Sequence, residues 1–369
     1  MPNSISNLLY TIALTQIKNV GSITARKLIA HFGSSSGVFT ASSKDLRLIQ
    51  GIGSYIINEL RNKKYLFEAE KILAYCNASN FHVYAIDSNG YPNRLKTLYD
   101  APLVLYLNGK NELNAEKSIG LVGTRRATEY GKKVCEHIAS GSKEASIQFI
   151  SGLAFGIDAS IHQACVNLNI PNFAVLAGGF HFLYPYQHRK LAESILENGA
   201  WISEHPPHVK PDARYFPMRN RIIAGLSDAL IVVEAAQKGG AIITADFANN
   251  YNREVFAVPG MIDKPFSEGC NLLIYENKAH IFISIEKLLE HMQWNTRIAN
   301  SQQKINLDFS RFTQNESAIL ANLHQLGELS IEELAWKTQI PLKEIALITI
   351  NLEFNGLIRA IAGNRYRLN

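Results

Sequence analysis

Cysteine is scarce in this sequence: there are four in 369 residues, and Cys76, Cys135, Cys165 and Cys270 lie far apart. That scatter excludes a disulfide framework or a zinc cluster and leaves free thiols, buried in a reducing compartment, as the expectation. Long apolar runs are also missing. Ile5 to Ala13 is apolar, but it lacks a basic start and soon meets Gln16 and Lys18, so it does not read as a secretory signal. Nothing else approaches the ~20 apolar residues of a membrane-spanning helix. The expectation is a cytoplasmic protein without membrane insertion. A surplus of one charge is nearly absent: 37 basic residues face 32 acidic ones, a formal +5, which favours a polyanionic partner only mildly.

Familiar enzyme signatures are absent too. Gly120 and Gly123 do not supply the three spaced glycines of a dinucleotide fingerprint, and no Gly-Lys-Ser or Gly-Lys-Thr ends a Walker loop. Ser151, Asp158, His162 and Glu234 lie near expected strand ends without forming a nucleophile elbow. No His, Cys and Asp group has metal-ligand spacing. No catalytic residue, metal or cofactor is therefore expected.

Apolar runs that end in glycine are what the sequence does contain. Ile119-Gly120-Leu121-Val122-Gly123-Thr124-Arg125-Arg126 is one, followed by a helical pattern from about Thr128. Ile147 to Ser151 leads into Gly152 and Gly156-Ile157-Asp158, Phe173 to Ala177 into Gly178-Gly179, Ala229 to Glu234 into Gly239-Gly240, and Glu254 to Val258 into Pro259-Gly260. Parallel strands feeding helices produce this grammar. It predicts a doubly wound, Rossmann-like α/β domain with its ligand at the carboxyl edge of the sheet. Helix-start amides beside Arg125 and Arg126 suit a phosphate. Asp158 is either the N-cap of its helix or a carboxylate that orients Arg125 or Arg126. Gly240 and its neighbours form a second phosphate cradle, with Glu234 shortly before it.

The stretch from His205 to Leu226 interleaves prolines, aromatics and basic residues, a composition suited to a single nucleic-acid strand. Arg219 and Arg221, flanking Asn220 at an expected helix start, would converge on phosphates. Alternatively the stretch is a solvated loop with Arg219 paired to Glu204 or Glu234.

Around this domain, residues 1–80 read as a small helical domain with two apolar-Gly turns, at Val20-Gly21 and Ile52-Gly53, resembling helix-hairpin-helix modules. Their amides either touch phosphate or merely end helices. Its last helix is expected over Ile56 to Tyr75. Residues 81–290 hold the α/β domain, preceded by strands at Phe81 to Ala85 and Leu103 to Leu107; Tyr84, Tyr91, Tyr99 and Tyr106 either pack or stack on bases. Residues 291–315 read as a polar linker, and 316–369 as three helices and a hairpin around Gly363-Asn364, a winged-helix pattern. The third helix offers few base-reading groups beside Lys343, Glu344, Asn351 and Glu353, so protein contact competes with DNA contact there.

These motifs resemble the bacterial DNA-processing protein A family. The resemblance rests on Tyr91-Pro92 with Asp100-Ala101-Pro102, Val122 to Arg126 with Tyr130-Gly131, Ser151 to Ala154 with Gly156-Ile157-Asp158, Phe216-Pro217 with Arg219 to Ser227, and Gly269-Cys270-Asn271. It implies an extended Rossmann-like domain that binds single-stranded DNA without catalysis. It also implies a homodimer, RecA recombinase as partner, a single-stranded DNA-binding protein as a further partner, and a role in natural transformation. The implied DNA-contacting set is Gly123, Thr124, Arg125, Arg126, Ser151, Gly152, Gly156, Arg219, Asn220 and Arg221. Lys210, Lys238 and Gly240 join it from charge and loop type, and Asp158 and Glu234 are pocket-orienting candidates. Phe155 stands where many family members carry a basic residue. A nucleotide or nucleotide-sugar hydrolase, with Glu234 at the sugar, is the alternative, and a scaffold whose winged domain recruits another protein is a third.

Overall fold

The structure, a computed structural model, describes residues 3–110, 113–294, 312–361 and 365–368. The chain divides into two compact units, Met1–Thr296 and Arg297–Asn369. The first opens with helices α1 (Asn3–Thr15), α2 (Ser22–Phe32), α3 (Ser35–Thr40), α4 (Ser43–Arg47), α5 (Ser54–Leu60) and α6 (Lys64–Ala78). Next come β1 (His82–Ala85), α7 (Asn93–Lys96) and β2 (Val104–Gly109). The alternating part runs β3 (Lys117–Gly123), α8 (Glu129–Ser142), β4 (Ile147–Ser151), α9 (Ile157–Asn167), β5 (Asn172–Val175), α10 (Arg189–Ile195), β6 (Gly199–Ser203) and α11 (Tyr215–Leu226). It ends with β7 (Ala229–Val233), α12 (Gly240–Asn250), β8 (Glu254–Ala257), α13 (Glu268–Tyr275), β9 (His280–Ile281) and α14 (Ile285–His291).

Nine strands form one sheet in the order β1-β2-β6-β5-β4-β3-β7-β8-β9. From β6 to β9 every pairing is parallel, whereas β2 pairs antiparallel with both β6 and β1. Both faces are covered, so alternate side chains enter different cores: Ile119, Leu121, Ile231 and Val233 pack against α8, α9 and α14, while Val122, Leu230 and Val232 pack against α11 and α12. This two-sided burial is why the strands read as continuous apolar runs. The chain winds outward from β3 through β4 and β5 to β6, then returns to place β7 on the other side of β3. The crevice above the β3 and β7 carboxyl ends is the switch point where open α/β sheets bind ligands.

Two sequence expectations change. The single helix over Ile56 to Tyr75 is broken into α5 and α6: Arg61 closes the first, and Asn62 Oδ1 accepts from Lys64 N at 3.0 Å as the second begins. The strand β6 was not expected at all. The N-terminal helices share one core with the sheet, in which Leu28, Ile56 and Ile72 belong with Tyr106, Leu176 and Trp201. Gly21 and Gly53 precede α2 and α5 in extended conformation, with φ of −81° and −87°.

The second unit contains α15 (Gln314–Leu326), β10 (Leu329–Ser330), α16 (Ile331–Thr338), α17 (Leu342–Phe354), β11 (Ile358–Ile361) and β12 (Arg365–Leu368). Its antiparallel sheet has the order β10-β12-β11. Thr313 with Glu316 and Ser330 with Glu333 form capping boxes that start α15 and α16. Ile319, Leu323, Leu334, Ile345 and Leu352 build its core. Most of the expected linker, and the Gly363-Asn364 turn, lie outside the described residues. Among the described residues, no helix is long and apolar enough to cross a membrane, and all four cysteines are buried and free.

Candidate functional site

At the switch point, the loop after β3 is held from below by its neighbours. Gly123 sits so close to β7 and α9 that a Cβ there would lie 1.9 Å from Val233 O and 2.6 Å from an Ile157 side-chain carbon. Thr124 N donates to Glu234 O at 2.6 Å. The buried Glu234 carboxylate then accepts from Thr128 N at 2.9 Å and from the Thr128 hydroxyl, fixing the start of α8. Glu234 thus lies behind the loop, with both carboxylate oxygens accepting from Thr128. Arg125 and Arg126 are exposed on the outer side of the loop.

The loop after β4 leans on the first. Gly156 adopts φ +78°, and a Cβ would lie 2.2 Å from Thr124 O, so only glycine fits both the conformation and the contact. Ile157 N donates to Thr124 O at 3.1 Å, joining the two loops. Asp158 is not the N-cap of α9 and does not orient Arg125 or Arg126. It lies inside the helix, buried, with Oδ2 accepting from Ala154 N at 3.3 Å. Burial pushes its carboxyl up, and the nearby Arg219 charge pulls it back. Ser151 Oγ donates to Leu121 O at 2.6 Å and is buried within the sheet; Gly152 is spent on packing, since a Cβ there would strike the Arg219 guanidinium.

The arginines of α11 depart most from expectation. The helix starts at Tyr215, so Arg219, Asn220 and Arg221 are interior residues rather than a helix start, and all three are buried. Arg219 Nη1 donates to Gly152 O at 2.5 Å and to Val175 O, locking α11 to the ends of β4 and β5. Its burial lowers its basicity, an effect opposed by Asp158. Arg221 points elsewhere: it pairs with Glu204 and donates to Asp100 O at 2.9 Å. Glu204 therefore does have an arginine partner, but it is Arg221 and not Arg219. Asn220 Nδ2 donates to Gly240 O at 3.1 Å and fixes the first turn of α12.

Between these loops lies a cavity of about 690 Å³. Its lining includes Gly123, Thr124, Arg125, Arg126, Asp158, Arg219, Asn220, Lys238 and Gly240. Arg125, Arg126 and Lys238 are exposed at its rim, and the one acid in the lining, Asp158, is buried beside Arg219. The N-terminus of the 11-residue α12 adds amides without internal partners. One wall is aromatic: Phe216 lies 5.6 Å from the Arg125 guanidinium and meets Tyr184 edge-on, with ring centroids 5.4 Å apart. Tyr184 arrives on the long loop after β5 and carries no local sequence signal, whereas Phe216 lies in the basic and aromatic stretch.

Four expected contact residues, Ser151, Gly152, Gly156 and Arg221, do not line this cavity, nor does Lys210. Lys210 Nζ instead sits 5.5 Å from the Phe182 ring centroid. Phe155 is likewise outside the lining and packs edge-on against His188 at 4.9 Å. What remains is a crevice with three exposed cations among its lining residues and one aromatic wall.

Fold and crevice together define an open, Rossmann-like α/β protein with a cavity at its topological switch point. The family model for DNA recombination-mediator protein A matches residues 82–293, and the chain belongs to that family. Protein Smf of Synechocystis sp. is 35% identical over 284 residues, covering 76% of this chain and 71% of the relative. The solved DNA processing protein A of Streptococcus pneumoniae aligns with a TM-score of 0.61 and 29% identity, over 77% of this chain and 97% of that one. DNA processing protein A from Helicobacter pylori, described for its single-stranded DNA binding mode, aligns with a TM-score of 0.53 and 25% identity, over 58% of this chain and 97% of that one.

Proposed function

We propose that this protein is a cytoplasmic, non-catalytic mediator of recombination that holds single-stranded DNA in the switch-point crevice. The observation that carries this reading is the pairing of three exposed rim cations, Arg125, Arg126 and Lys238, with the Phe216 and Tyr184 wall. Cations meet the strand's backbone, and unstacked bases find aromatic faces, a combination that a duplex with its bases paired inside uses poorly. Membership of the family supports the same reading. It supports further a homodimer formed through the first unit, handover of the bound strand to RecA in the presence of single-stranded DNA-binding protein, protection of incoming DNA during transformation, and a winged-helix role for the second unit. A nucleotide hydrolase would need Glu234 free at a sugar, and that carboxylate is engaged with Thr128.

Anisotropy titrations of matched single- and double-stranded oligonucleotides across a salt series test the proposal. Single-strand preference is expected, with log K falling against log salt at a slope of about −2 if each rim cation releases one counterion at ~0.7 per contact. Equal affinity for both forms, or no binding at low salt, overturns it. In the same system, unaltered RecA assembly on protein-coated strands would remove the handover step.

A further inference from the structure

Glu254, His280 and His291 are scattered along the sequence with no ligand-type spacing between them. Folding gathers them at the far edge of the sheet: Glu254 opens β8, His280 opens β9, and His291 ends α14. The register places His280 opposite Phe256, and Glu254 shares a strand face with Phe256 because it is two residues away. Glu254 Oε2 lies 3.2 Å from His280 Nε2 and 3.2 Å from His291 Nε2. One ligand atom from each residue falls within 4.8 Å of the others.

The two imidazoles are set in place by packing. Their centroids are 4.4 Å apart, and the buried Phe256 ring lies 5.5 Å from His280 and 5.3 Å, edge-on, from His291. With a hydrocarbon floor beneath them, both bring Nε2 to 3.2 Å from the same carboxylate oxygen, with His291 hydrogen-bonded to it. Ligand atoms ~2.0–2.1 Å from a tetrahedral zinc stand roughly 3.3 Å from one another. The two N···O separations match two of the three edges such a site needs, and the third lies within 4.8 Å. Two imidazoles and a carboxylate are also a donor set that zinc accepts. Lys287 lines the hollow beside the histidines, but its Nζ is 2.7 Å from Glu290 Oε2 and is balanced by it.

We propose that Glu254, His280 and His291 bind one divalent cation of the zinc class, leaving a fourth position to water, and that the ion clips β9 and α14 to β8. The two-residue β9 has few ladder bonds to hold it there, so a bound ion stabilises this edge by mass action. The site is separate from the crevice between β3 and β7, so DNA binding is not its readout.

The test uses the full chain, stripped with chelator and titrated with zinc chloride by calorimetry, with cobalt chloride as a visible probe. One equivalent is expected to bind saturably, to raise the melting temperature, and to give cobalt absorption bands of a low-coordinate nitrogen and oxygen site. His280→Ala and His291→Ala should each weaken zinc binding at least about tenfold, and His208→Ala, at an exposed histidine outside the triad, should not. Glu254→Gln keeps the side chain's length and an oxygen that can accept from His291, so an unchanged melting temperature without zinc separates lost affinity from misfolding. No saturable one-to-one binding at sub-millimolar zinc, or binding that persists unchanged in the His280, His291 and Glu254 variants, overturns the proposal.

Discussion

Arg125, Arg126, Arg219 and Arg221 carry the same charge in neighbouring motifs, yet their surroundings give them different work. Arg125 and Arg126 face solvent at the cavity rim, whereas Arg219 and Arg221 are only 4% and 6% exposed and spend their donors on carbonyls and on Glu204. Arg125→Ala with Arg126→Ala should leave the melting temperature nearly unchanged while cutting the salt slope of single-strand binding by about 1.4, at ~0.7 per contact. Arg219→Ala should do the reverse first: it leaves the Gly152 and Val175 carbonyls without their donor, a loss of about 1–3 kcal/mol for each buried acceptor, and removes the charge that favours ionised Asp158, visible as a lower midpoint in urea. A stable Arg219→Ala protein with a reduced slope would return Arg219 to the phosphate contacts. Sequence alone gave no means of separating these arginines, because charge is legible in a residue and burial is not.

At the scale of elements, the glycine loops were legible because strain and close approach leave a mark on composition. Gly123 and Gly156 were singled out from the apolar runs before them, and both turn out to be places where a side chain would strike backbone. The paired faces of β3 and β7 were legible for a related reason, since two-sided burial writes a continuous apolar run. By contrast, β6 is Gly-Ala-Trp-Ile-Ser, a short run with one β-branched residue, and only its pairing with β2 and β5 makes it a strand. The triad of Glu254, His280 and His291 was illegible because it depends on which strands and helix end up side by side. Gly156→Ala tests the loop argument. The new methyl would need a left-handed backbone, costing about 1–3 kcal/mol, and would push against Thr124 O. Single-strand affinity should fall by more than that of Arg126→Ala although no charge is lost, while far-ultraviolet circular dichroism stays unchanged. Unaltered affinity would mean that the contact between the two loops does not shape the crevice.

For the molecule as a whole, the division into two units separates the crevice from the C-terminal helices. The crevice is built entirely from residues of the first unit, and the second unit's core draws only on its own helices and strands. The third helix of that unit is poorly equipped to read DNA. Glu344 accepts from Asn315 Nδ2 at 2.6 Å and Glu353 from Ala360 N at 2.9 Å, while Leu347, Ile350 and Phe354 are exposed. Carboxylates and apolar side chains give a phosphate backbone little to hold, and major-groove reading needs polar donors on such a face. A chain ending at residue 296 should therefore fold, lose one unfolding transition in calorimetry, and bind single-stranded DNA with the salt slope of the full chain. A slope smaller by about 0.7 or more would mean that at least one phosphate contact comes from the second unit. An unchanged slope accompanied by lost RecA handover would instead assign the exposed Leu347, Ile350 and Phe354 face to protein contact, since an apolar surface gains from burial against a partner and nothing from a phosphate.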